Sequence, residues 1–543
     1  MKEYIVIANS ETDIDSVHND LVIDTSFLPS VNHNIVPTRA VSVANARLAM
    51  PTITHYFLTD EEAKKLAEDH RVVAVHIPVA YKARTPHVVP KPIQPLNSIQ
   101  RPVAYTRVAG NFNRNSKEDL YNVNWGLRRT SLPTTEPTVG NTYNYDRAGA
   151  GVDIVIMDDG VEAAHPEFKD PSGKSRVQMI DWFKSSGVVG TMPLNHYNTG
   201  NTPGGGEHGT HVASIAAGKT YGYAKSARIF SLRVFGDDTE RVPDELHFDL
   251  LLGWHLRKPI DPNTGVRRPT IVNMSWGYSW LYSNDYNNHN APSITSINYR
   301  GNLQTYQTPQ TKKIANGQVS TQHGFHVPSE DAACAACEAA GIIFVRSAGN
   351  FGHKIDLDTG PDYDNYYTVA DSWADFFPPE TPIYYHRGCS PSSRNTILVS
   401  AVKDLTVLNN GKLLEQVDGY SERGPGCTVI APGTNITAAT SINSTFPKHP
   451  YVFGTQANSS VYKSSKISGT SMASPQVTGV AALYLSNNPG AKPADVKKWI
   501  ATMGVKNIIS TTNLTNDWGN QNALQGGPNN YLYNPYHNGY TGP

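Results

Sequence analysis

Six short apolar runs set the rhythm of this chain: "VDIVIM" (152–157), "RIFSLRVF" (228–235), "PTIVNMS" (269–275), "GIIFVRS" (341–347), "NTILVSAV" (395–402) and "CTVIAP" (427–432). Each is nearly continuous in apolar residues, where a strand with one wet face would alternate. Segments of helical length separate them. Strands buried on both faces belong to parallel sheets covered by helices on either side. The pattern therefore predicts a three-layer α/β/α domain with a mostly parallel central sheet over about residues 121–510. In such sheets ligands bind beyond the carboxyl ends of the strands, so chemistry is sought just past each run.

The N-terminal pattern is different. "EYIVI" (3–7) reads as a strand, and "THYFLTDEEAKKLAEDHRVVAVHIP" (54–78) as strand, helix, strand. Thr59 followed by Glu62 forms a capping box at that helix start. Residues 1–80 thus predict a small ferredoxin-like α+β unit with two helices on a sheet. Prolines then interrupt all periodicity over 81–120, which reads as a linker, or as a loop packed on a neighbour. Residues 279–325 and 353–386 are polar, Tyr- and Asn-rich, and too long for ordinary connections, so they read as insertions. The Asn/Gly/Tyr-rich tail, 511–543, has little periodicity and is expected to be loose or to drape over a surface through its aromatics.

Composition narrows the function classes. The 543 residues carry a formal net charge of −1 without long blocks of one sign, so neither nucleic acid nor an anionic membrane is an expected partner. No stretch has the apolar length of a membrane span. The N-terminus lacks the apolar core and cleavage site of a secretory signal, which points to a cytoplasmic or virion-associated location. Four cysteines in a chain this long do not make a disulfide framework. Cys334 and Cys337 lie in an alanine-rich helical stretch and are expected to be small buried side chains.

Candidate chemistry sits at the ends of the runs. Asp158 and Asp159 close the first; taken alone, such a pair is a turn or a helix cap. In "GGGEHGTHVASIAAG", His208 stands where a glycine-rich loop enters a helix. His208 and His211 would also suit a metal pair, although no further ligand stands at zinc spacing. Asn350 ends "GIIFVRSAGN", and Ser471 in "SGTSMASPQV" opens an apolar helix, beside free backbone N–H groups and the positive end of the helix dipole. A serine becomes a nucleophile when a base, an orienting acid and oxyanion donors surround it. Asp158, His208 and Ser471, with Asn350 and the Ser471 amide as donors, supply those parts in an order used by serine hydrolases.

The motifs "MDDG", "HGTHVA", "NMSWG", "RSAGN" and "GTSMASP" resemble those of the subtilisin-like serine protease family. "NWGLRRT" (124–130) is similar to the mature start of proteinase K-like members, whereas Asp159 resembles the kexin branch; the branch stays open. The resemblance implies a serine endopeptidase acting on protein or peptide substrates through an acyl-enzyme. It implies that Ser275, Trp276 and Gly277 form one wall of the substrate cleft. It also implies that residues 1–80 are an inhibitory propeptide, a partner in cis, removed by self-processing of a zymogen within about 78–122. No cofactor is implied for the chemistry. Structural calcium is an option, with Asp356, Asp358, Asp362 and Asp364 as candidate oxygen donors; a solvated loop, or an acidic pocket selecting basic side chains, are the alternatives. The competing functions are a catalytically silent component of an assembly such as a virus particle, and a metal-dependent hydrolase.

Overall fold

The structure is a computed structural model. It describes residues 1–22, 41–47, 50–77, 107–109, 123–134, 142–193, 206–234, 242, 244, 246–281, 294–310, 322–369, 381–403, 406–407, 413–453, 456–512, 514–516, 519–521 and 523–537.

All six apolar runs become strands of one nine-stranded sheet. Its order is Val505–Lys506, Asn530–Tyr531, Val429–Pro432, Ile397–Val402, Ile343–Ser347, Thr270–Met274, Asp153–Asp158, Arg228–Arg233, Val177–Gln178. Every pairing is parallel except that between the first two. Successive side chains point to opposite faces, and both faces are covered. Ile154 and Ile156 pack with Val212 of helix Glu207–Ala217 and Val477 of helix Thr470–Asn487. Val155 and Met157 pack with Leu250 and Leu251 of helix Leu246–Arg257 and with Cys334 and Cys337 of helix Pro328–Ala339. Both cysteines are fully buried free thiols, as their apolar setting predicts.

At the N-terminus, strands Val43–Ala46, Ile53–Leu58, Lys2–Ala8 and Val72–His76 form an antiparallel sheet in that order, carrying helices Glu11–Val22 and Asp60–Ala67. The Thr59–Glu62 capping box is formed. Side chains of this unit, Ile5, Ile7, Met50 and Ile53, join the apolar cluster of the Leu246–Arg257 helix, and Arg47 makes a buried ion pair with Asp249. The 81–120 stretch lies outside the described residues except for Arg107–Ala109, which pairs with Thr142–Asn144.

Two features differ from expectation. The insertions do not stand apart. Ile294–Tyr299 and Asn302–Gln310 from the first share a four-stranded antiparallel sheet with Tyr366–Val369 and Ile383–Tyr384 from the second. Nor is the tail loose. Asn530–Tyr531 adds to the central sheet beside Val429–Pro432, and Tyr531 and Tyr536 are both fully buried, so the domain runs past 510 to at least residue 537. Burying a tyrosine removes enough apolar area to hold a short terminal strand in place.

Candidate active site

Asp158 is the last residue of its strand, and its Oδ1 lies 2.8 Å from His208 Nδ1. The carboxyl is fully buried and also accepts the Asp159 N–H at 2.8 Å, which fixes its rotamer. Asp159 fixes the backbone that carries the imidazole. Its carboxylate accepts the N–H groups of His208 (3.2 Å) and Gly209 (2.6 Å), satisfying donors that the first turn of a helix leaves free. Gly209 is required there, because a Cβ would run into the Gly160 carbonyl. Beside Asp158 and one residue before a glycine, Asp159 thus acts as a helix cap, one of the two roles such an acidic pair suggests.

Ser471 is the second residue of the Thr470–Asn487 helix. Its hydroxyl donates to the Ser275 carbonyl at 2.9 Å, and Ser275 Oγ donates back to the Ser471 carbonyl at 2.8 Å. His208, Asn350 and Ser471 line one cleft together with Ser275, Trp276 and Gly277. The Ser471 hydroxyl is thus engaged with the Ser275 carbonyl, and among the described residues no hydrogen bond joins it to His208. Trp276 is anchored at the cleft wall by its indole N–H, 2.6 Å from the Met157 carbonyl.

The Asn350 amide is held by Thr470, which no local signal in the sequence singles out. Its oxygen accepts both the Thr470 N–H (2.9 Å) and the Thr470 hydroxyl (2.8 Å). A backbone N–H can only donate, so the accepting atom is Oδ1 and the NH2 group is left for the cleft.

The electrostatics suit a base. Burial by itself would lower the His208 pKa; the Asp158 carboxylate outweighs it, with help from Asp159 and Glu207, and raises it to about 9. Burial and the neighbouring Asp158 charge push Asp159 up to about 8.

A model of the subtilase family matches residues 149–526, more than half the chain. The chain belongs to the subtilase family, the subtilisin-like serine endopeptidases. This subtilase is 25% identical over 390 residues to proteinase R of Parengyodontium album, a match covering 71% of this chain and 66% of that one. It is 24% identical over 416 residues to a cuticle-degrading serine protease of Arthrobotrys oligospora, covering 76% and 68%. A Thermus relative named extracellular serine proteinase is 24% identical over 417 residues, covering 76% and 66%. Among solved structures, a cold-adapted subtilisin-like serine proteinase overlays with TM-score 0.45 at 20% identity, covering 76% of this chain and 98% of that one. Fervidolysin from Fervidobacterium pennivorans, a keratinolytic enzyme related to subtilisin, overlays with TM-score 0.47 at 18% identity, covering 97% and 60%. These relatives lend no support to the expected cytoplasmic or virion-associated location. Among the described residues no helix is long and apolar enough to cross a membrane.

Metal expectations fare poorly in this subtilase. His211 Nε2 faces the Ser465 carbonyl at 3.1 Å, and among the described residues no group of three or more His, Cys, Asp or Glu side chains could hold a metal ion. The aspartate loop does not fit calcium either. Lys354 Nζ sits 2.9 Å from Asp356 and 2.7 Å from Asp362, Arg300 grips Asp362 at 2.6 and 2.9 Å, and Arg387 holds Asp364 at 2.5 Å. Internal cations thus already pair with three of the four acids, Asp356, Asp362 and Asp364. None of Asp356, Asp358, Asp362 and Asp364 lines the cleft, so they form no acidic substrate pocket there. Subtilases need no cofactor for their chemistry.

Proposed function

We propose that Asp158, His208 and Ser471 are a catalytic triad and that Asn350, with the Ser471 N–H, stabilises the oxyanion. The observation carrying this reading is the buried 2.8 Å contact of His208 Nδ1 with Asp158, in the cleft that Ser471 also lines. Ser471 attacks a peptide carbonyl while His208 takes its proton at Nε2. Asp158 holds the Nδ1–H tautomer and stabilises the imidazolium, which then protonates the leaving amine; water, activated by the same imidazole, hydrolyses the acyl-enzyme. The carbonyl oxygen becomes an anion near the Asn350 NH2 group, an interaction worth roughly 2.7–4 kcal/mol in the transition state. Substrate backbone runs along Ser275–Gly277, and protein or peptide chains are the substrates.

The N-terminal unit serves as an intramolecular inhibitor of a self-processed zymogen. Supporting this are its apolar contact with the helix layer and the buried Arg47–Asp249 pair.

A fluorophosphonate probe tests the triad: it should label wild type at Ser471 and leave Ser471→Ala unmodified, and only the wild type should digest casein. A folded wild type that takes no label and cuts nothing would instead be a silent scaffold. Intact-mass measurement tests processing, with cleavage within about 78–122 expected in wild type and a full-length Ser471→Ala chain.

A further inference from the structure

Two side chains of opposite charge line the cleft and do not pair. Arg346 is 1% exposed and Glu422 is 2% exposed. Arg346 Nη1 is spent on Cys389 Sγ, while its Nε has no hydrogen-bond partner among the described residues. Glu422 Oε1 is likewise buried without a partner. The carboxyl lies directly against the residue preceding Asn350. A Cβ at Gly349 would come within 2.6 Å of Glu422 Cδ, and φ there is +126°, a conformation glycine adopts freely. The Glu422 N–H donates to the Gly349 carbonyl at 2.9 Å, so carboxyl and oxyanion donor are held in fixed relation. On the opposite wall Gly277 packs closely on the guanidinium, since a Cβ there would run into Cys389 Sγ and sit 3.0 Å from Arg346 Nη1.

Buried polar groups left unpartnered are costly, and where they line a cleft their natural partner is a ligand. Resting on the endopeptidase reading above, we propose that Arg346 and Glu422 select a carboxamide side chain, glutamine or asparagine, on the substrate residue that supplies the scissile carbonyl. Glu422 accepts from the amide NH2 and Arg346 donates to the amide oxygen. A cationic side chain meets Arg346, an anionic one brings no donor for the accepting oxygen of Glu422, and an apolar one leaves both without partners. A neutral dipole satisfies both at no cost in net charge. Burial raises the Glu422 pKa to about 8 against the pull of Arg346 and Arg423, yet either protonation state keeps an accepting oxygen.

The test is kcat/KM for full-length protein on peptides identical except for Gln, Glu, Lys or Leu at that residue, with fluorophosphonate labelling of Ser471 run in parallel. Sites built to hydrogen-bond a substrate discriminate strongly against analogues lacking the group, so Gln should exceed Leu by about 100-fold and Glu and Lys by about 10-fold. In Glu422→Met the Gln-to-Leu ratio should fall to about 1 or below. Wild type that labels at Ser471 but prefers Leu, Lys or Glu overturns the selectivity and leaves the triad standing. A Gln preference unchanged in Glu422→Met removes Glu422 from it. Wild type that neither labels nor cleaves any peptide overturns both readings. Should Glu422→Met fail to fold, the wild-type series decides alone.

Discussion

Ser471 and Ser275 hold each other in a reciprocal pair of hydrogen bonds, hydroxyl to carbonyl in both directions, at 2.9 and 2.8 Å. The pair fastens the start of the Thr470–Asn487 helix to the end of the Thr270–Met274 strand. Asn273 extends it, donating to Ser275 Oγ at 2.9 Å and accepting from Ser474 and Thr478. Ser275→Ala removes one arm and leaves the Asn273 NH2 short of an acceptor. It should cost about 1–2 kcal/mol in urea unfolding, a typical value for a buried hydrogen bond with an orphaned partner. Unchanged stability would mean that the strand and helix are registered by other contacts.

Asn350 is fixed by Thr470, so two substitutions should act in series. Asn350→Ala should lower kcat by roughly 10²–10³ with little change in KM, the signature of an interaction made only in the transition state. Thr470→Ala keeps the backbone N–H donor but loses the hydroxyl, and should cost kcat about tenfold at most, one hydrogen bond's worth. A double variant much worse than Asn350→Ala alone would show that Thr470 does more than position the amide.

The raised His208 pKa sets the pH response. Only neutral imidazole can accept the Ser471 proton, so kcat/KM should fall roughly tenfold per pH unit on the acid side. That limb should lie well above the ordinary histidine value of 6.5, approaching about 9. Folding has the opposite sign. A group whose pKa is higher folded than unfolded stabilises fully below the unfolded value and progressively less as pH rises through the folded value, here from 6.5 to about 9. Activity should therefore climb over the window in which this contribution to stability fades. Asp158→Asn removes the largest raising charge and leaves burial opposed only by Asp159 and Glu207, so the limb should move down from about 9 while kcat drops about 10⁴-fold. A limb that stays put in Asp158→Asn would assign the titration to another group.

Lys354 neutralises Asp356 and Asp362 from within. Lys354→Met leaves the Asp356 carboxylate, only 2% exposed, without its cation. Arg300 still serves Asp362 and Lys354 is itself 16% exposed, so the loss should sit near the lower end for a broken buried pair, about 3 kcal/mol. Chelators should not reproduce it. A comparable fall in wild-type Tm on adding EDTA would return calcium to this loop.

The six central strands and the positions of Asp158, His208, Asn350 and Ser471 were legible because their signals are local. A strand buried on both faces must be apolar along its whole length, and a residue at a strand end or helix start is marked by the glycines and small residues that shape the turn. The insertions hid their structure for the opposite reason. Ile297 pairs with Tyr367 across a long stretch of chain, and nothing in either segment names the other. The aspartate loop looked like a cation site because its acids lie close in sequence, while Arg300, one of the cations that occupies it, comes from the other insertion. The tail seemed aperiodic because Tyr531 and Tyr536 are buried by residues far away, not by any pattern of their own.

By itself, the order of residues determined the six central strands, the faces they cover, and which side chains stand ready at the ends of those strands. Periodicity and turn chemistry act over a few residues, and they survive in a linear reading. The tertiary structure alone decided which strands are neighbours, which cation answers which acid, and that Arg346 and Glu422 share a cleft without pairing. Those outcomes depend on the desolvation and partnering of groups brought together by folding, and a buried charge acquires its cost, and its use, only when the rest of the chain has closed around it.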